Sequence, residues 1–295
     1  MGENEEMHTR TVIAIPASFD KDEKLETKTT HKYVKYLESR KAGTLMTTAG
    51  TSNFNLLTNK EIHCLNETIS NNFGNSKIIG IPPLSLKDSI AFVKESKKYT
   101  DKNTFLMALY PERYYDDRTI INFMTNIRNE TDNPIYIHAK PIQKATGGIW
   151  DYTSEIINEM VSSNVVKGIK EEHSELSKSY NFVANLHKST DIIVAGGSMR
   201  RHQFLRSAGA NTFLAGIGNL FPEVEQEYLE GTTEKALQKE IKLFNTFMKY
   251  GWHKSLRIAL KYLDLTCYYD RQPWPIMEKC QIEEIEKTIK DIKDE

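Results

Sequence analysis

The stretch NVVKGIKEEHSE, Asn164 to Glu175, decides how the chain is read. An apolar run reads as a buried strand that ends in Lys170, and three acids, Glu171, Glu172 and Glu175, follow within five positions. Strand side chains alternate between faces, which puts Val166, Gly168 and Lys170 on one face and Val165 and Ile169 on the other. If the first face points inward, Lys170 carries its amine into the mouth of the fold. There desolvation favours the neutral amine that condenses with a carbonyl. On spacing alone the plainer reading is the stronger one, an edge lysine that reaches solvent or pairs with Glu171 or Glu172.

Outward from this stretch, short apolar runs alternate with amphipathic segments. TVIAIP (11–16), GTLMTT (43–48), SKIIGIP (76–82), NTFLMAL (103–109), NPIYIHAKP (133–141), NVVKGIK (164–170), TDIIVAG (190–196) and ANTFLAG (210–216) read as strands. Between them, Tyr33, Val34 and Leu37 recur at helical spacing, Thr58 and Glu61 match a capping box, and Ser85 with Asp88 starts another helix. Further helices are expected over 118–130, from about Thr153 to Ser162 and over 174–188, and the Asp116–Asp117 pair reads as a helix start. Eight strand-then-helix units suit a (β/α)8 TIM barrel, because every buried parallel strand needs a crossover helix on its outer face. A doubly wound sheet uses the same local signals, but no glycine-rich dinucleotide fingerprint follows the first strand. The barrel is therefore expected over residues 1–223. A C-terminal helical region is expected over 224–295, punctuated by Gly231 and Gly251 and by the proline-containing connector CYYDRQPWP (267–275).

Composition narrows the function classes. Lys plus Arg is 39 and Asp plus Glu is 40, so the formal charge is -1 and gives no reason to expect nucleic acid or an anionic membrane as partner. Cys64, Cys267 and Cys280 form no CxxC pair and read as reduced thiols. The polar start MGENEEMHTR has no apolar signal-peptide core, and Glu6 breaks the myristoylation pattern after Gly2. A cytoplasmic protein is expected. The eight histidines include no HxH or HExxH, so no metal site is expected, and GIGN (216–219) lacks the lysine of a phosphate loop.

At the strand ends, where a barrel carries its site, His138 shares a face with Tyr136 and is suited to proton exchange or to a hydrogen-bonded place on the rim. The turn AGTSNF (49–54) offers backbone N–H groups and hydroxyls suited to a carboxylate, and equally reads as a plain strand-to-helix turn.

Three of these segments carry a resemblance. NVVKGIKEE is similar to the lysine strand of the dihydrodipicolinate synthase and N-acetylneuraminate lyase superfamily of pyruvate-dependent class I aldolases. AGTSNFNLLTNKE resembles its carboxylate loop and following helix start, and GANTFLAGIGNLFPE its eighth strand and the loop beyond. The resemblance implies a TIM barrel that assembles as a homodimer or homotetramer. It implies a lysine, matching Lys170, that forms a Schiff base with pyruvate or a related 2-oxo acid without a dissociable cofactor, and an aldehyde as co-substrate. By the same resemblance Gly50, Thr51 and Ser52 hold the keto-acid carboxylate. Asn53 replaces the family's glycine and glutamate, and Gly196 and Leu214 stand beside the site.

The chain also departs from the family pattern. The family's proton-transferring tyrosine in YN.P becomes His138 in HAKP, with Ala139 in place of the asparagine. The arginine that binds aspartate semialdehyde falls near Gln143, which argues against the lysine-biosynthetic reaction. The usual glycine-aspartate after the seventh strand is Gly196–Gly197, and the family's aromatic segment is loosely represented by Tyr110, Tyr114 and Tyr115. Asn53, Lys140 and Gln143 would form a polar wall suited to a hydroxylated or sugar-like substrate, with the GGIW segment (147–150) reaching over the mouth. The alternative is a barrel that binds a ligand or partner and has lost the reaction.

Overall fold

The computed structural model describes residues 11–113, 116–144, 147–267 and 269–295; the N-terminal decapeptide, Tyr114 and Tyr115 lie outside the described residues. The strands are β1 (Thr11–Ala14), β2 (Thr44–Thr47), β3 (Lys77–Ile81), β4 (Thr104–Ala108) and β5 (Ile135–Ala139). After them come the two-residue strands β6 (Ile142–Gln143) and β7 (Ile149–Trp150), then β8 (Gly168–Glu171), β9 (Asp191–Val194) and β10 (Thr212–Leu214). β1 to β5, β8, β9 and β10 pair in parallel in that order, and β10 returns to β1, closing an eight-stranded barrel. β6 and β7 form a separate antiparallel hairpin.

Helices α1 (Thr27–Ser39), α2 (Asn59–Asn72), α3 (Leu86–Ser96), α4 (Asp117–Arg128), α5 (Ser154–Ser162), α6 (Leu176–Ala184), α7 (Ser198–Leu205) and α8 (Pro222–Leu229) form the crossovers. Their starts follow from local chemistry. The Thr58 hydroxyl accepts from the Glu61 N–H while Glu61 reaches back to the Thr58 N–H, and Ser85, Asp116 and Thr153 cap α3, α4 and α5 in the same sense. Tyr33, Val34 and Leu37 bury the inner face of α1 against the strands. Each such side chain contributes about 1.5–3 kcal/mol on burial.

The barrel interior is small. It is filled by Val12, Ala14, Met46, Ile78, Phe105, Met107, Tyr136 and Ile193. Parity then fixes the mouth, because the inward Tyr136 makes His138 inward and the inward Gly168 makes Lys170 inward. Gly168 is needed for this packing. A Cβ there would lie 2.7 Å from the Tyr136 ring and 2.3 Å from the Asp191 carbonyl oxygen, whereas the Tyr136 hydroxyl now donates to Asp191 Oδ2 at 2.7 Å.

One strand differs from its expected extent. β8 begins at Gly168 and not at Asn164, which turns the chain with φ 55°. Val165 and Val166 both pack in the outer core between strands and helices, so Val166 does not share the inward face of Lys170.

α8 runs through Glu223 and packs directly on α9 (Thr233–Tyr250), which in turn packs on α10 (Trp252–Tyr262) and α11 (Lys279–Asp294). Gly231 and Gly251 take positive φ where the chain reverses. The connector after α10 is pinned by Asp270, which accepts from Lys254 at 2.6 Å and Lys261 at 2.9 Å and pairs with the buried Arg257. Arg257 also donates to the Ala17 carbonyl at 2.6 Å. These bonds hold α10 over the end of β1, and its first turn points at the barrel mouth.

Candidate active site

Lys170 and His138 are direct register partners on β8 and β5. Lys170 is 7% exposed, its Nζ lies 2.7 Å from His138 Nε2, and it forms an ion pair with Glu172. Glu172 Oε2 is also 2.8 Å from the same His138 nitrogen, so the three groups form a triangle. A neutral imidazole uses Nε2 either to accept from Lys170 or to donate to Glu172. Burial, and next the positive charge of Lys170, lower the His138 pKa to about 4 against the pull of Glu172. Burial works to raise Glu172, but the charge of Lys170 and the hydrogen bonds from His138 and Lys170 outweigh it and hold this carboxyl far below its ordinary range.

Glu171, one residue earlier, faces the helices and is fully buried. It accepts from the His173 N–H at 2.8 Å, His173 Nδ1 at 2.9 Å, Ser179 Oγ at 2.8 Å and Arg201 Nη2 at 3.0 Å. This network fixes the turn after β8 and so aims Glu172 at the lysine.

Two chambers meet at the triangle and share Ala49, Gly50, His138, Lys170 and Glu172. The smaller, about 480 Å³, is lined by Gly50, Thr51, Gly196, Leu214, Trp252 and His253, among others. The larger, about 870 Å³, runs under the β6–β7 hairpin, where Ile142 and Ile149 line it.

Four of the expected binding residues thus reach the smaller chamber: Gly50, Thr51, Gly196 and Leu214. Ser52, Asn53 and Gln143 line neither chamber. The Ser52 hydroxyl donates to the Ile15 carbonyl at 2.6 Å and accepts from the Ala49 N–H at 3.2 Å, which anchors the loop. Asn53 is buried with φ 56° at the junction of two short 3-10 turns, Gly50–Ser52 and Phe54–Leu56. Gln143 is exposed on β6, one position from the inward Ile142, and only Lys140 of the expected polar wall reaches the cavity.

Glu172 and the α10 pair Trp252 and His253 were not singled out as site residues from the sequence. The same two-residue alternation that aims Lys170 also aims Glu172, so that signal was present. Nothing local marks Trp252 or His253. A Cβ on Gly50 would lie 3.9 Å from the His253 ring, and burial lowers the pKa of that imidazole against the opposing charge of Glu172.

The Dihydrodipicolinate synthetase family model matches residues 7–292. The chain belongs to this family. Among solved structures, N-acetylneuraminate lyase from Fusobacterium nucleatum is similar with a TM-score of 0.82 at 15% identity, covering 96% of this chain and 98% of that one. Dihydrodipicolinate synthase from Oceanobacillus iheyensis follows at 0.81 and 17%, covering 97% of each chain. The 4-hydroxy-tetrahydrodipicolinate synthase of Methylacidiphilum fumariolicum SolV gives 0.78 and 19%, covering 96% of this chain and 95% of that one. A search of curated proteins finds no match. Family membership supports an aldolase-type enzyme, and the likenesses at these identities show the shared barrel. No helix among the described residues is long and apolar enough to cross a membrane.

Proposed function

We propose that this chain is a class I lyase or aldolase in which Lys170 forms a Schiff base with pyruvate or a related 2-oxo acid. The observation that carries the reading is the position of Lys170. It is nearly buried at the junction of two chambers and in contact with both a carboxylate and an imidazole.

The 2-oxo acid enters the smaller chamber with its carboxylate toward the N–H groups and hydroxyl of Gly50 and Thr51, beside His253. Glu172 and His138 are both placed to relay the proton that Lys170 releases. Nζ attacks the carbonyl carbon, water leaves, and the iminium draws electrons from the adjacent carbon. Loss of a proton from that carbon gives a neutral enamine, and His138 is placed to hold the proton. At that step the Lys170 charge, which after burial is the main depressant of His138 basicity, is gone. The imidazole therefore becomes more basic when it must carry a proton. The enamine adds to an aldehyde, or arises by cleavage of a longer 2-oxo acid.

Gln143 lies outside the cavity, and Lys140, which does reach it, pairs with Glu112 at 3.4 Å. This placement speaks against the lysine-biosynthetic reaction. The homodimer or homotetramer implied by the family resemblance, and the cytoplasmic setting expected from the N-terminal sequence and the cysteines, are carried with this reading. A second reading, a binding barrel without turnover, draws on the Lys170–Glu172 ion pair as a neutralised, idle lysine.

Borohydride trapping with pyruvate, followed by intact-mass and peptide analysis, tests both. A stable adduct on Lys170 that is absent from Lys170→Ala supports the enzyme. No adduct with pyruvate or with larger 2-oxo acids sinks it and favours the binding barrel.

A further inference from the structure

The larger chamber has a chemical character that the family does not dictate. We infer that it receives an apolar group, so that the second reactant is an aromatic or branched aliphatic aldehyde and not a sugar. This inference rests on the Schiff-base reading of Lys170 and adds the substrate class to it.

The wall is mainly aliphatic and aromatic, with Met46, Phe54, Met107, Leu109, Ile142 and Ile149 contributing side chains from five separate segments. Among the described residues, and apart from the Lys170, His138 and Glu172 triangle, the polar side chains of this wall are engaged or sealed from solvent. The Thr48 hydroxyl donates to Asn66 Oδ1 at 2.9 Å. Glu112 and Lys140 pair with each other at the exposed rim. The Tyr152 hydroxyl is sealed from solvent, and burial raises it well above the ordinary phenol range. Tyr110 is buried and packs edge-on against Phe123, with ring centroids 5.2 Å apart.

A polyhydroxylated tail placed here would lose water and find few partners, at about 1–3 kcal/mol for each hydroxyl left unpaired. An apolar tail loses nothing of the kind. Ile149 adds a second, independent observation. It is 65% exposed on the hairpin, with Gly147 and Gly148 at φ 88° and 82° just before it, yet it lines the chamber. An apolar occupant would take that side chain out of water, which a sugar would not do with comparable gain. The volume of about 870 Å³ is ample for a ring or branched chain beyond the carbons held at Lys170.

The reaction is redox-neutral. In the cleavage direction, the iminium of the aldol accepts the electron pair of the bond between the carbon next to the imine and the hydroxyl-bearing carbon. The hydroxyl proton passes to His138 as the aldehyde forms in the larger chamber. The enamine is then protonated on carbon, and water hydrolyses the imine to release pyruvate and restore Lys170. The water consumed balances the water released when the imine formed.

Pyruvate release from the pyruvate aldol of benzaldehyde and from that of glyceraldehyde tests the assignment on the full chain. The expected result is a kcat/KM at least about tenfold higher for the benzaldehyde aldol, the scale on which apolar pockets discriminate. Ile149→Asp should lower that value about tenfold with no comparable fall for the glyceraldehyde aldol. Equal rates, a preference for the glyceraldehyde aldol, or cleavage of neither overturns the inference while a trapped pyruvate adduct on Lys170 leaves the Schiff-base reading standing. Absence of that adduct removes both.

Discussion

His138 Nε2 lies 2.7 Å from Lys170 Nζ, its register partner across the β5–β8 seam, and 2.8 Å from the Glu172 carboxylate. One imidazole nitrogen therefore faces both the candidate nucleophile and its counter-ion. That geometry separates the two jobs the site must do, since Lys170 can bind the oxo acid without His138 but cannot easily pass on the carbon-bound proton. His138→Ala should leave a borohydride-trappable pyruvate adduct. It should slow deuterium exchange at the pyruvate methyl group by about 10²–10⁴-fold, the usual worth of a positioned general base. Exchange at the wild-type rate would assign proton transfer to another group.

The lowered pKa of His138 has a pH signature. With a folded value of about 4 against an ordinary value near 6.5, the unfolded chain binds more protons than the native one between those limits. The stability from keeping this imidazole neutral is complete above the unfolded value and is lost as pH falls through the folded one. Thermal unfolding of the wild type should weaken more steeply between pH 6.5 and about 4 than that of His138→Gln, in which the titrating group is gone. Parallel curves would show that His138 titrates alike in both states. The depressed Glu172 has the same sign, and its contribution disappears only at lower pH.

Glu171 should behave as a structural residue, in contrast to its neighbour. Its oxygens are fully buried and take bonds from His173, Ser179 and Arg201. Glu171→Gln leaves the Arg201 guanidinium without its counter-charge in a site that water barely reaches. Loss of one partner of such a pair costs about 3–5 kcal/mol. Denaturant unfolding should report a loss of this order, and a change under about 1 kcal/mol would place the network in water-screened surface territory.

The barrel was legible because its signals are local. Apolar runs such as KIIGI and IYIHA, each ended by a turn, and caps such as Thr58–Glu61 specify their elements without knowledge of the rest of the chain. Lys170 and His138 were legible for the same reason, since parity at a strand end decides where they point. That Ser52 lies outside both chambers was not legible, because its hydroxyl partner, the Ile15 carbonyl, belongs to the segment just after another strand. The outward place of Gln143 was not legible either, because the hairpin register that sets it cannot be seen before β6 and β7 are paired. Trp252 and His253 come from a helix beyond the eighth unit, brought to the mouth by Arg257, Lys254, Lys261 and Asp270. That ionic anchor is a tertiary event with no periodic trace.

The dependence of the site on that helix can be read from Gly216. This glycine follows β10 and lines the smaller chamber, and a Cβ on it would lie 1.8 Å from Cζ2 of Trp252, inside any real contact distance. Gly216→Ala must therefore move the indole or the β10 loop. The indole is wedged against Phe247 at 5.2 Å between ring centroids and sits next to His253, so its movement carries the imidazole away from Gly50. Overpacking of this kind costs about 1–3 kcal/mol. A fall in melting temperature should accompany a raised concentration requirement for pyruvate trapping. Trp252→Leu combined with Gly216→Ala relieves the clash and should recover the melting temperature of the Trp252→Leu single variant. An equal loss from Gly216→Ala in both backgrounds would mean that the glycine answers to the backbone of the loop and not to the indole.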